Sequence, residues 1–162
     1  YLYHAKKYNA AIGDVVATSD HEAGQVDIVF IMADGSKPGA AMISGLQAYL
    51  SGKTIRPMTD KLTVKAPEEV TYSINLTYYI NRSDSARAVA IQAAVAQAVA
   101  DYQTWQRAIG RDINPSKLVA MVMEAGAKRV TVTAPTYTAV AATKVSALQG
   151  EATVTYGGLE DD

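Results

Sequence analysis

Between Val70 and Ile80 the chain reads VTYSINLTYYI, and every second residue is apolar. Val70, Tyr72, Ile74, Leu76, Tyr78 and Ile80 alternate with Thr71, Ser73, Asn75, Thr77 and Tyr79. Successive strand side chains point to opposite faces, so this period predicts one long strand with one buried side. The other side is polar enough to meet water or a partner protein, which makes Thr71, Ser73, Asn75, Thr77 and Tyr79 candidate partner-facing residues. Beyond Ile80 the period becomes helical. Ser83 or Asp84 is placed to cap a helix, and Ala88, Ile91, Val95, Ala98, Tyr102, Trp105 and Ile109 recur at helical spacing up to Gly110. About 25 residues of helix would make a rod of roughly 37 Å.

A second helix start is marked by Asn114 as N-cap and Pro115 at the first helical position. Leu118, Met121, Val122 and Ala125 carry its apolar stripe, and Gly126 closes it. Lys128–Thr133 reads as a strand stopped by Pro135. The stretch TYTAVAATKVSALQG stays open between extended loop and weak strand. Glu151–Tyr156 reads as a last strand, and GGLEDD as a frayed tail.

The first half has its own order. YLYHAKKYNA shows no steady period and reads as an entry segment. Ile12–Thr18 and Gln25–Ala33 read as strands joined by a hairpin loop, SDHEAG. Val29 and Ile31 are apolar as well as Val26, Ile28, Phe30 and Met32, so the second strand is expected to be covered on both sides. DGSKPG reads as a loop with a helix starting near Ser36 or Lys37. Met42, Ile43, Leu46 and Leu50 continue that helix, and Gly52 sits where a C-cap glycine belongs. A loop around Pro57 leads to a strand carrying Leu62, Val64 and Ala66. The orders β-β-α-β and β-α-α-β-β meet at Pro67. The expected fold class is therefore α+β, with two small sandwich-like lobes of residues 1–66 and 67–162, each a sheet with helices mainly on one face.

Charge and residue usage narrow the chemistry. The net charge is −1 over 162 residues, which offers nucleic acid no basic footprint. The absence of cysteine removes disulfides, thiolate metal sites and cysteine nucleophiles. No apolar run reaches the length of a membrane helix. The chain starts at Tyr1 rather than at a methionine and reads as part of a longer protein.

Each chemical candidate has a plainer explanation. His4 belongs to the entry segment. Asp20, His21 and Glu22 are consecutive in a hairpin loop and cannot all converge on one ion. DGSKPG lacks the span of a phosphate loop. Ser44–Gly45 lies inside a helical pattern, away from any strand-to-helix elbow. Glu68–Glu69 and Asp161–Asp162 are adjacent pairs, whereas hydrolytic carboxylates stand apart across a cleft. Ten tyrosines without a positive groove fit sheet surfaces and protein interfaces better than base stacking. No catalytic, cofactor or metal-binding residue is assigned.

Longer stretches carry a resemblance. TIRPMTDKLTVKAPEEVTYSINLTYYI, then SARAVAIQAAVAQAVADYQTWQRAIGRDINPSKLVAMVMEAGAKRVTVTAP, then TVTYGG occur in that order, preceded by YLYHA and ATSDHEAGQVDIVFIMADG. The linked elements are Arg56–Pro57, the alternating strand, Gly110-Arg111-Asp112-Ile113, Asn114-Pro115-Ser116, Gly126-Ala127-Lys128-Arg129-Val130 and Tyr156-Gly157-Gly158. Together they resemble the middle and C-terminal portions of the baseplate J-like family of contractile-tail phages. The resemblance implies a structural wedge component of the virion tail baseplate, assembled in the host cytoplasm with other wedge and hub proteins. It carries no catalytic motif to transfer, and with the charge and apolar pattern above the expectation is no cofactor, no nucleic acid and no membrane, with the chain alone a soluble monomer or a weak, concentration-dependent oligomer. Trp105, Asn114, Pro115 and Gly126 are then structural residues. A small-ligand or carbohydrate-binding tail module is the alternative, and a tail-associated cell-wall hydrolase a more distant one.

Overall fold

The computed structural model describes residues 1–52, 54, 55, 57 and 60–162. Arg56 of the Arg56–Pro57 element lies outside the described residues. Packing divides the chain into two compact units, and the division is not a single cut. The first unit is Tyr1–Glu69 with Ala108–Gly110 and Ala141–Val145; the second is Val70–Arg107, Arg111–Val140 and Ser146–Asp162.

The first unit holds α1 (Leu2–Tyr8), β1 (Ile12–Asp20), β2 (Gln25–Met32), α2 (Ala40–Leu50) and β3 (Lys61–Lys65). β2 is central, antiparallel to β1 and parallel to β3. The opening segment is a helix, not an irregular entry. Over seven residues it buries only Ala5, too few apolar contacts to set a period. Its anchor is Tyr8, whose ring lies 5.2 Å from that of Tyr49 and whose hydroxyl occupies the space a Cβ on Gly45 would need. α2 starts at Ala40 with Gly39 as N-cap, later than expected. The Asp34 carboxylate explains the delay: it accepts from the Ser36 N–H and hydroxyl and holds that residue in a turn. At the other end Ser51 is the cap, and Gly52 keeps a negative φ, so the expected left-handed glycine cap is absent there.

β2 is buried on both faces. Ile28 and Phe30 pack with Ala5, Leu46, Leu50, Leu62 and Val64. Val29 and Ile31 pack with Ile109 and Val145, which the second half of the sequence contributes to the first unit. The Asp14 carboxylate accepts from the Ile109 N–H at 2.8 Å, and the Gly110 N–H donates to the Lys144 carbonyl at 2.7 Å. These bonds hold the inserted residues in place.

The remaining elements are β4 (Glu68–Tyr72), β5 (Asn75–Asn81), a 3₁₀ segment (Arg82–Arg87), α3 (Ala88–Gln106), α4 (Pro115–Glu124), β6 (Arg129–Ala134), β7 (Lys144–Leu148) and β8 (Thr153–Glu160). The order β6-β5-β8 forms one sheet, with β5 antiparallel to β6 and parallel to β8; β4 pairs with β7 in another. The expected eleven-residue strand is thus two strands. The Gln149 N–H donates to the Tyr72 carbonyl and the Thr153 N–H to that of Ile74, so the backbone changes partner across Ser73 and Ile74. The alternation of burial survives that change: Tyr72, Ile74, Leu76, Tyr78 and Ile80 are all buried.

α3 and α4 cover the inner face of the sheet, with Ile91, Val95, Val99, Tyr102, Leu118 and Val122 in one core with Leu76, Tyr78 and Ile80. The cap that opens the helical region is Asn81, whose side chain accepts from the Ser83 N–H, rather than Ser83 or Asp84. α3 ends at Gln106 after 19 residues, and Ile109 lies beyond it. Asn114 caps α4 by accepting from the Ser116 N–H, with Pro115 at the first helical position. Gly126 stands at φ 119°, and a Cβ there would meet Ile91 Cγ1 at 3.0 Å, so both backbone and space require glycine. The open stretch before Gly150 contains β7, and the tail residues Gly157–Glu160 belong to β8 instead of fraying.

Trp105 is partly buried against this core. Its ring lies 6.1 Å from Tyr102, with the Arg111 guanidinium 4.3 Å over it and the Lys117 ammonium at 5.4 Å. Trp105→Ala is expected to cost about 2–3 kcal/mol, below the range for a fully buried tryptophan. His21 is exposed in a turn, and His21→Ala should stay within about 0.5 kcal/mol. Paired urea melts of the two variants measure the difference.

Candidate assembly surface

The outer face of the β6-β5-β8 sheet gathers the polar residues of β5 with those of its neighbours. Thr77 pairs with Thr131 on one side and Thr155 on the other, giving a row of three threonines. Asn75 pairs with Thr153 on β8. Thr131, Thr153, Thr155 and Asn75 are exposed, while Thr77 and Tyr79 are half-buried. β-Branched threonines pack well across a sheet and keep a hydroxyl for a partner.

One end of this face is locked. The Tyr79 ring lies over Gly157, where a Cβ would come within 2.4 Å of its Cε1. The Arg129 guanidinium stacks 3.8 Å from the centre of the same ring. Arg129 in turn donates from Nε to Glu160 Oε2 at 2.8 Å and from its terminal nitrogen to Oε1 at 2.5 Å. The hydrogen bond from Arg129 holds the Glu160 carboxyl below its ordinary value. The face therefore ends in a charge-balanced clasp beside the polar row. Thr71 and Ser73 are also exposed, but they lie on β4 and on the link to β5, so the structure does not bring them into this row.

A second constellation holds the turn between α3 and α4. Gln106 is fully buried, and both ends of its amide are used. Its Nε2 donates to the carbonyls of Arg111 and Asp112, and its Oε1 accepts from the Tyr102 hydroxyl and the Asn114 N–H. Asp112 accepts from the Tyr137 hydroxyl at 2.6 Å and the Val140 N–H at 2.8 Å, and these bonds hold its carboxyl below the ordinary range. Ile113 exchanges both backbone bonds with Thr138. Together these bonds fix the Gly110-Arg111-Asp112-Ile113 loop in one conformation. Sequence reasoning missed Gln106, because a glutamine beside Gln103, Thr104 and Trp105 carries no periodic signal.

The other candidates have local roles. Asp20 accepts from the Glu22 and Ala23 N–H groups and shapes the hairpin turn in which His21 is exposed. Ser44 lies within α2. Lys37 pairs with Glu69 and Lys144 with Glu68, each at 3.3 Å. Asp161 pairs with Arg82 and Asp162 with Lys128, so the tail carboxylates are exposed but partnered. Among the described residues no three His, Asp or Glu side chains converge as a metal site, and no helix is long and apolar enough to cross a membrane.

Two family descriptions match along the chain. The Baseplate J-like central domain matches residues 1–66, and the Baseplate J-like protein C-terminal domain matches residues 72–156. The chain belongs to the baseplate J-like family. This baseplate J-like chain is 28% identical over 135 residues to Baseplate protein J of Escherichia phage P2, a match covering 83% of the chain and 44% of that protein. Its fold is similar to that of a chain in the cryo-EM structure of the anti-feeding prophage baseplate, 6-fold symmetrised, with a TM-score of 0.57 and 14% identity. That likeness covers 90% of the baseplate J-like chain and 35% of the other. The chain thus spans less than half the length of these two relatives.

Proposed function

We propose that this chain is a structural subunit of a contractile-tail baseplate, acting by protein–protein contact with other wedge and hub proteins rather than by catalysis. The observation that carries the reading is the pair of baseplate J-like domains matched in order over residues 1–66 and 72–156. Its place is the virion tail, reached after assembly in the host cytoplasm. We assign the domains as residues 1–66 and 67–162, meeting at Ala66–Pro67, whereas the compact first unit runs to Glu69 and takes in Ile109 and Val145 from the later sequence.

The row Thr131–Thr77–Thr155, with Asn75 and Tyr79, is the contact face we assign within β6-β5-β8. Thr71 on β4 and Ser73 on the link to β5 are kept as candidate contact residues outside that row. The row's hydroxyls and the neutral clasp suit a surface that is wet when free and paired when assembled. Alone, the chain is expected to be a monomer or a weak, concentration-dependent oligomer, since rings hold through many weak contacts acting together. Sedimentation over a wide concentration range and titration with the cognate wedge subunit test both points. The Thr77→Arg and Thr155→Arg variants should fold normally yet bind that subunit at least about tenfold more weakly, because each inserts an unpaired charge into a neutral contact. A tight ring of this chain alone, or assembly that dissolves with a chelator, would overturn the reading.

A further inference from the structure

The helical side of the second unit carries a surface groove whose floor is the outer edge of the core: Ala98 is buried, and Met121 and Ala125 are only partly covered by it. The groove lies between α3 and α4 with an open volume of roughly 370 Å³. Ala94, Ala98, Met121 and Ala125 form its floor, and Asp101 and Glu124 stand on its rim. Gln97 also lines the groove, and exposed Ala90 lies one turn before Ala94; the neighbouring face of α3 is apolar too, with Val89 81% exposed and Ala93, Ala96 and Ala100 exposed beside it. A helix on the outside of a globular protein ordinarily carries charges of both signs on its solvent side. α3 has no lysine or arginine in 19 residues, and Asp101 is its one acid.

Neither carboxylate is offset by its own helix. Glu124 is the last residue of α4, the end at which the helix dipole disfavours negative charge, and neither helix has a basic residue in its last turn. Asp101 accepts from Gln97 Nε2 at 2.9 Å, but among the described residues no cation pairs with Asp101 or Glu124. The groove is therefore an alanine-floored channel with a negative rim and no internal counter-charge.

We propose that this groove seats an amphipathic helix of another baseplate protein, with its apolar face on the alanines and a lysine or arginine between Asp101 and Glu124. The proposal deepens the assembly reading and rests on it. A helix is the occupant because two helices bound the channel and small floor residues allow close ridge-into-groove approach, while their backbone groups are already paired within the helices. The unpaired carboxylates select a basic partner over an acidic one.

The test uses the whole chain and two synthetic helical peptides of about five turns. Both carry the same leucine and alanine face; one is flanked by lysines and the other by glutamates. The lysine peptide is expected to bind, more weakly as salt rises, and the Asp101→Lys/Glu124→Lys variant should lose about tenfold or more in affinity while keeping its thermal midpoint. That variant should reverse the preference between the peptides. Ala94→Phe, which fills the floor without altering charge, should weaken both. Equal binding of the two peptides, or a charge-reversed variant that binds the lysine peptide as the parent does, would overturn the proposal. Titration of the unaltered chain with the cognate wedge subunit is read separately: its failure would overturn the assembly reading, and its success beside indifferent peptides would overturn the groove alone.

Discussion

Gln106→Leu is expected to destabilise the second unit by on the order of 4 kcal/mol, although leucine is nearly the same size and more apolar. The substitution leaves the Asn114 N–H and the carbonyls of Arg111 and Asp112 without the partner that Gln106 now supplies. Each buried polar group left unpaired costs about 1–3 kcal/mol. The Tyr102 hydroxyl keeps its bond to the Asn114 carbonyl, which limits the loss. Urea melts monitored by circular dichroism give the number, and a loss below about 1 kcal/mol would show that water satisfies those groups at little cost.

Ile109→Ala should destabilise the first unit's core, although Ile109 lies outside that unit's own strands and helices. Ile109 is 8% exposed and lies against Val29 and Ile31, which are 0% and 3% exposed. Deleting most of a buried isoleucine side chain costs about 2–5 kcal/mol when the surroundings cannot collapse into the space. β2 is held by β1 and β3 at fixed register, so collapse is restricted. Hydrogen exchange should report faster opening of the amides of Val29, Phe30 and Ile31. Unchanged protection there would show that Ile109 does not support that core.

These two residues also mark where sequence reasoning stops. The alternation from Val70 to Ile80 states correctly which side chains are buried, because burial follows the face of the backbone. It cannot state that the backbone changes partners at Ser73 and Ile74, because partners lie far along the chain. The double burial of β2 is legible from Val29 and Ile31 being apolar beside Ile28 and Phe30. Its cover is not, since Ile109 reads as one more turn of the α3 stripe and Val145 sits in a stretch without period. Asn114–Pro115 is legible because capping is local chemistry. Gln106 is not, because its value depends on a loop folding back upon it.

The candidate surface divides the same way. Asn75, Thr77 and Tyr79 are readable as one face of a strand. Thr131, Thr155, Arg129 and Gly157 join them only through register, which a single sequence does not state. Charge matters similarly at the tail: Glu160 looks like solvated carboxylate until β8 brings it to Arg129.

The insertion of Ile109 and Val145 bears on how such genes can be reshuffled. A crossover near residue 66 would look harmless, since it falls between two matched domains. It would nevertheless pair the incoming Val29 and Ile31 with whatever the recipient carries at the two distant positions. Chimaeras between relatives should therefore be viable when those four side chains travel as a set, and should fail as packing mismatches, with both domains intact, when they do not.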